Sequence, residues 1–214
     1  MFSIDSSEEA KATIKYYDTH APDWVKSHEI DPNFWGQEIA RFHQLLPTGK
    51  ILDVGCGGGR DGALLIPLGY EYKGIDASQK MLEEAKARLP KATFLPVDMT
   101  KPFFPNNFFD GFWASASLLH IKKIDIYKVL HNLREITRID GIGFISIKEG
   151  HGEKMESDGR FFAYYQQDEF NQILKDTAFE VIEEHRESKS AQTTWLTYFV
   201  RVKKTPITSR FTGR

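Results

Sequence analysis

The residues best suited to chemistry stand in one short run, Ile51-Leu52-Asp53-Val54-Gly55-Cys56-Gly57-Gly58-Gly59-Arg60-Asp61, followed by Gly74-Ile75-Asp76-Ala77-Ser78. An apolar β-type run ends in a carboxylate and breaks into a turn with four glycines. Such a turn lets the backbone bend sharply and a ligand approach with no Cβ in the way. Asp76 closes a second β-type run, Tyr70 to Ile75. A carboxylate at the tip of the second strand of a βαβ unit can accept hydrogen bonds from both hydroxyls of a ribose. Together these features indicate a nucleoside-containing ligand, and two kinds compete. Gly57-Gly58-Gly59-Arg60-Asp61-Gly62 satisfies the G-x-G-x-x-G dinucleotide pattern, with an acid at about the right distance beyond it. A pyrophosphate, however, wants a helix N-terminus with no anion nearby. Asp53 and Asp61 flank this turn and suit a ligand carrying an amino group and a sulfonium.

Strand-like and helix-like segments alternate from residue 51 onward, which argues for a parallel sheet flanked by helices. Strands are expected at Lys50–Val54, Glu71–Ile75, Thr93–Val97, Gly111–Ser115, Gly143–Lys148, Glu180–His185 and Thr194–Val202. Helices are expected near Arg60–Leu68, Gln79–Arg88, Ile124–Thr137 and Gln167–Thr177. Ser78 and Asp168 read as helix N-caps. Tyr127, Leu130, Leu133 and Ile136 read as a buried stripe. The last two strands are joined by a polar turn with no helix between them, so the final strand should run antiparallel. The expected fold is α/β, a three-layer sandwich around a Rossmann-like seven-stranded mixed sheet that ends in an antiparallel hairpin. Ser6–Thr19 and Pro32–Leu46 read as helices of an N-terminal cap (1–46) on a single domain, 1–203. Residues 204–214 are polar and patternless and read as a mobile tail.

Asp53-x-Gly55-x-Gly57-x-Gly59 resembles motif I of class I S-adenosylmethionine (SAM) methyltransferases, and Asp76 resembles their ribose-binding acid. That fold also closes with an antiparallel hairpin. The run from Phe109 through Trp113-Ala114-Ser115-Ala116-Ser117-Leu118-Leu119 to His120 resembles a small bacterial branch of these enzymes, often labelled tellurite-resistance-like. The same branch is resembled by Lys148-Glu149-Gly150, by Asp158-Gly159-Arg160-Phe161-Phe162 with Tyr164-Tyr165, and by Tyr16-Tyr17-Asp18-x-x-Ala21. The resemblance spans roughly residues 14–203 and is specific for the cofactor rather than the acceptor. One departure is Thr137-Arg138-Ile139-Asp140-Gly141, where the branch usually has a Leu-x-Pro-Gly-Gly turn. The resemblance implies SAM as cofactor, held by Tyr17, Trp24, Asp53, Gly55, Cys56, Gly57, Arg60, Asp76, Ala77, Met81, Asp98, Met99, Ala114, Ser115 and Leu118.

Several of these positions carry a second reading. Asp98 either accepts from an adenine amino group or is a surface-loop acid. Met81 either lies on the adenine face or fills core. Arg60 either forks onto the methionine carboxylate or pairs with Asp61. Tyr16, Tyr17 and Trp24 either face a sulfonium or form the apolar side of a helix. His120 is the first candidate for a general base and Glu149 the second, against readings as a loop-shaping histidine and a capping or salt-bridged acid. The acceptor pocket is expected between the cap (Tyr16, Tyr17, Trp24, Phe34, Trp35) and Arg160, Tyr164 and Tyr165, above Trp113 to His120. Arg160 holds an acceptor anion there or pairs with Asp158 or Glu149. The polar, glycine-punctuated stretch from Gly150 to Arg160 reads as a loop and substrate lid.

With 214 residues the chain can bury a sizeable core, and a net charge of −2 gives no drive toward nucleic acid or anionic membrane. No apolar run approaches the ~20 residues a membrane span needs, and the acidic, polar start reads as neither signal nor transit peptide. A single cysteine rules out an internal disulfide, with a cytoplasmic home as the default. No metal is expected, because the histidines lack ligand spacing. The partner expected is a small-molecule methyl acceptor, with the protein a monomer or homodimer. An RNA-directed methyltransferase rests only on Lys122-Lys123, Lys203-Lys204, Arg210 and Arg214. A SAM-binding module without turnover is the third possibility.

Overall fold

The computed structural model describes residues 7–28, 31, 33–101, 104–190 and 193–203. The expected mobile tail at 204–214, with Lys204, Arg210 and Arg214, lies outside the described residues, as does the expected helix start at Pro32.

The elements are α1 (Glu8–His28), α2 (Gly36–Leu45), β1 (Lys50–Val54), α3 (Gly62–Leu65), β2 (Glu71–Asp76), α4 (Gln79–Arg88), β3 (Thr93–Pro96) and β4 (Phe109–Ser115). They continue with α5 (Lys123–Ile136), β5 (Thr137–Lys148), β6 (Glu153–Met155), β7 (Phe161–Ala163), α6 (Gln167–Asp176), β8 (Phe179–Ser190) and β9 (Thr193–Val202). Seven strands form a mixed sheet in the order β3-β2-β1-β4-β5-β9-β8. β1 pairs parallel to both β2 and β4, whereas β9 runs antiparallel to β5 and β8. This is the Rossmann-like seven-stranded mixed sheet with an antiparallel end that the sequence predicts. Strand order reverses beside β1, so the crevice for a ligand opens at the carboxyl ends of β1, β2 and β4.

Both faces of the sheet are covered, and the alternation of side chains along each strand divides the core in two. Leu52, Phe112, Ile145 and Ile147 point toward α5 and α6, with Val129, Leu133, Phe170 and Leu174. Their neighbours Ile51, Trp113 and Phe144 join Trp35, Phe42, Leu82 and Ala85 on the opposite face. Each of the fully buried Val, Leu, Ile and Phe side chains contributes about 1.5–3 kcal/mol relative to exposure.

Several local expectations are corrected. α1 does not stop at Thr19 but runs on through Pro22 to His28; packing of Tyr16, Tyr17 and Trp24 against one another outweighs a single breaker. The N-cap of α6 is Gln166, whose N–H donates to Glu169 at 3.3 Å, and Asp168 sits inside the first turn. Tyr127 is 45 % exposed; the buried stripe of α5 is Ile126, Val129, Leu130, Leu133 and Ile136, the i, i+3, i+4 pattern of a helix. The segment Thr137–Gly141 is part of β5, where Asp140 takes a left-handed φ of 62° beside a register shift. The expected loop at 150–160 contains β6 and leads into β7, which pair as a small antiparallel hairpin.

Candidate active site

The glycine turn after β1 is built by its hydrogen bonds. The N–H groups of Gly55 and Cys56 both donate to Ile75 O, at 2.8 and 2.9 Å, which ties the turn to the end of β2. Gly55 has φ +70°, and a Cβ there would stand 2.4 Å from Ser117 Cβ. Gly57, at φ 53°, donates its N–H to Asp76 Oδ2 at 3.0 Å. Asp76 Oδ1 accepts the Ser78 N–H at 2.8 Å. Both carboxylate oxygens are thus held by backbone donors, and a carboxylate with about four acceptor sites keeps lone pairs to spare. Burial raises the pKa of Asp76 from its ordinary value, against the pull of these donors.

A cavity of about 390 Å³ opens above this turn, under α1. Its wall includes Tyr17, Trp24, Asp53, Gly55, Cys56, Gly57, Arg60, Asp76, Ala77, Met81, Asp98, Met99, Ser115 and His120 from the expected set. Sequence reasoning had not assigned Ser117, Ser78 or Thr13 to this wall. Ser117 Oγ is buried there with no hydrogen-bond partner among the described residues. Its only sequence signal was its place in the segment after β4. Ala114 and Leu118 are fully buried in the core and are not on the wall.

The acids of the wall differ in their partners. Asp53 is 2 % exposed and accepts the Tyr72 hydroxyl at 2.7 Å. Burial, then the neighbouring Asp61 carboxylate, push its pKa well up. Asp61 is held by Trp113 Nε1 at 2.9 Å and by Arg60 Nε at 2.7 Å. Arg60 thus makes the Asp61 pair that was its second reading. Asp98 Oδ1 accepts from Thr100 N and Oγ1, at 2.9 and 2.6 Å, while still facing the cavity. This clustering of carboxylates opposes a diphosphate and suits a ligand with cationic groups. With the ribose-type acid, the orphaned Ser117 hydroxyl and the close Gly55–Ser117 approach, the residues present fit SAM.

His120 packs between the cavity and β7. Its Nδ1 lies 2.6 Å from Phe161 O, an acceptor, so Nδ1 carries the proton. Nε2, 3.0 Å from Tyr17 Oη, then accepts the phenol hydrogen. Burial lowers the His120 pKa to about 4 and raises that of Tyr17 to about 12, so both are neutral at pH 7. α1 carries Tyr17 into place through three anchors. Asp18 Oδ1 accepts from Ser78 Oγ at 2.7 Å and Lys80 N at 3.1 Å. Thr13 Oγ1 accepts the Phe161 N–H at 2.9 Å, and Glu9 pairs with Lys122 at 2.8 Å. Asp18 was a role sequence reasoning missed.

The expected acceptor wall is only partly assembled. Arg160 Cζ lies 4.8 Å from the Tyr16 ring, 4.7 Å from Trp24 and 5.2 Å from Phe162, and the guanidinium forks onto Asp158 at 2.9 and 2.7 Å. Tyr164 donates to Glu156 at 2.9 Å. Three assignments are corrected. Trp35 is core, edge-on to Phe144 and Trp195. Trp113 is core, stacked on Phe144 at 4.0 Å, and reaches the site only by ordering Asp61. Tyr165 is fully buried against Phe170. Trp113 lies on a strand whose two faces are both covered, while Trp35 and Tyr165 belong to the layers that cover the sheet and pack inward. Glu149 is not on the cavity wall; Arg186 forks onto it at 2.8 and 3.0 Å and lowers its pKa. Of the basic residues that suggested RNA, Lys122 pairs with Glu9, Lys123 with Glu169, and Lys203 with Glu180 and Asp140. Among the described residues, no cluster of histidine, cysteine and acids suits a metal, and no helix is long and apolar enough to cross a membrane.

Residues 51–141 match the family model described as a methyltransferase domain. Trans-aconitate 2-methyltransferase of Enterobacter sp. (strain 638) is 32% identical over 119 residues, which covers 54% of this chain and 46% of that protein. The chain spans about half the length of the curated relatives it matches. In three dimensions it is similar to Burkholderia thailandensis 1,6-didemethyltoxoflavin-N1-methyltransferase, solved with its substrate and S-adenosylhomocysteine (SAH). That likeness has a TM-score of 0.76 at 19% identity and covers 95% of this chain and 94% of the other. The [4+2]-cyclase SpnF is similar at a TM-score of 0.72 and 16% identity, over 91% and 96% of the two chains. At these identities the likeness shows a shared fold.

Proposed function

We propose that this chain transfers a methyl group from SAM to a small-molecule acceptor, a reading supported by the match of residues 51–141 to a methyltransferase domain and by a sheet like that of the similar methyltransferase structure. The observation that carries the reading is the acid-lined cavity in which Asp76 and Gly57 meet at the end of β2. Asp76 takes the ribose hydroxyls, Asp98 the adenine amino group and Met81 the adenine face. Asp53 and the Ser117 hydroxyl take the amino group, and Asp61 orients Arg60 toward the methionine carboxylate. When bound, SAM supplies an electrophilic methyl group on a sulfonium.

The protein's task is then alignment and exclusion of water, which can lower such a barrier by ~7–11 kcal/mol. Tyr17 and Trp24 place aromatic faces where a cation is favoured. Tyr17 Oη accepts the acceptor's proton as its own passes to His120 Nε2, while Nδ1–H stays on Phe161 O. With a pKa of about 4, His120 suits an acceptor whose proton is already acidic. We place the enzyme with the tellurite-resistance-like branch on the segments at 109–120 and 158–165, and in the cytoplasm on its cysteine usage.

Calorimetry with SAM and SAH tests the cofactor, with micromolar binding expected; no binding at millimolar ligand, or a preference for a nicotinamide dinucleotide, refutes it. A [4+2]-cyclase shares the fold, so turnover needs its own test. Radiolabelled methyl from SAM, counted in the metabolite, RNA and protein pools of fractionated extract, should enter the metabolite pool. Label in RNA would support the nucleic-acid reading, and no label anywhere a binding module.

A further inference from the structure

Lys148 closes β5 beside the site, and the mechanism above does not use it. Its Nζ lies 4.1 Å from the centroid of Phe162 and 6.0 Å from that of Trp195. An aromatic face attracts an ammonium but does not fill its three hydrogen-bond donors. Lysines normally reach water or a carboxylate. Lys148 is half-buried, and among the described residues its ammonium has neither a hydrogen-bond acceptor nor an ion-pair partner. The acids around it are already engaged. Glu149 is held by Arg186, Glu156 by Lys154 and Tyr164, and Asp158 by Arg160. Burial, and then Arg160, lower the pKa of Lys148, while Glu156 and Asp158 raise it. The fold thus keeps a surplus cation partly out of water.

The Phe162 ring connects that cation to the reaction centre. Arg160 Cζ is 5.2 Å from the same ring, and the His120 ring is 4.7 Å from it. Arg160 Nη1 also reaches Tyr17 Oη at 3.5 Å. Lys148 and Arg160 therefore both neighbour one aromatic ring that packs beside His120 of the Tyr17–His120 pair. We propose that these two cations, grouped around Phe162, form the subsite for an anionic group of the acceptor, a carboxylate or a phosphate. The inference rests on the methyltransferase reading and narrows it: the acceptor is a small anion. Amine acceptors are repelled by the same pair. The anion supplies the ion-pair partner that Lys148 lacks, and its charge holds the rest of the molecule against Tyr17.

The test uses the full chain saturated with SAH, after calorimetry has given the SAH affinity of each variant. Benzoate, inorganic phosphate, benzamide and benzylamine are titrated by ligand-observed NMR. Benzoate or phosphate should bind in the millimolar range and the two uncharged or cationic analogues should not. Lys148→Met should weaken anion binding about tenfold or more while SAH affinity stays within twofold, and Lys148→Arg should retain the anion. Lys148→Gln replaces the methionine variant if that one does not fold. Benzoate binding without phosphate assigns the subsite to carboxylates, and the converse to phosphates. Equal anion binding by wild type and Lys148→Met, or none to a protein that binds SAH normally, overturns the subsite and leaves the cofactor reading intact. Failure of the wild type to bind SAH overturns both.

Discussion

Asp76 does two jobs with one carboxylate, since it fastens the glycine turn through Gly57 and leaves lone pairs facing the cavity. Asp76→Ala should weaken SAH binding by about 1.5–3 kcal/mol, the range for a charge-assisted hydrogen bond, read by calorimetry. Asp53 is costly to the empty protein, because it is buried beside the Asp61 carboxylate. Asp53→Asn keeps an acceptor for the Tyr72 hydroxyl and removes that repulsion. Thermal unfolding should therefore show a higher Tm without ligand, while calorimetry shows weaker SAH binding. His120 gives a pH signature. Its folded pKa is about 4 against 6.5 unperturbed, so between these values the unfolded chain binds a proton that the folded one does not. The stability due to neutral His120 is present above pH 6.5 and is lost as pH falls through about 4, a change of roughly 3 kcal/mol. Urea unfolding from pH 7 to 4.5 should show that decline, and His120→Gln should flatten it.

At the scale of elements, α1 is the part whose position decides access to the cavity. It buries little of its own surface, with Thr13 and Ala21 its buried residues, and depends on polar anchors to α4 and β7. Asp18→Ala removes the acceptor of two bonds, from Ser78 Oγ and Lys80 N. Hydrogen exchange should then quicken along α1 while β1, β2 and β4 keep their protection, and SAH should bind several-fold more weakly. Unchanged exchange in α1 would assign its docking to aromatic packing instead. The stretch from Gly150 to Arg160 illustrates how an element can hide in a sequence. Its polar residues and glycines read as loop, yet Glu153–Met155 pairs with the apolar Phe161–Ala163. An exposed edge strand carries no apolar alternation to announce itself.

Across the whole molecule, the two core layers meet through the sheet, and its centre tolerates no added volume. A Cβ on Gly143 would stand 2.2 Å from the Phe112 ring. Gly143→Ala should cost about 1–3 kcal/mol by denaturant unfolding, and Phe112→Leu should recover part of that loss in the double variant.

The sequence by itself determined the glycine-turn end of this protein. Asp53, the glycine turn and Asp76 are local features whose roles depend on a strand ending and a chain reversing, and such signals lie within a few residues of one another. The mixed sheet with its terminal hairpin was legible for the same reason, as alternating periodicities and one missing helix. What only the tertiary structure decided is which way long side chains turn and whom they meet. Trp35, Trp113 and Tyr165 had the composition of an acceptor wall, but Trp113 sits in a sheet buried on both faces and the other two pack in the layers that bury it, so all three fill core. The Tyr17–His120 bond joins residues 103 apart in the chain, and the isolation of Lys148 arises because each acid near it has found another cation. Pairings of that kind are settled by packing and by competition among charges, and no spacing along the chain records them.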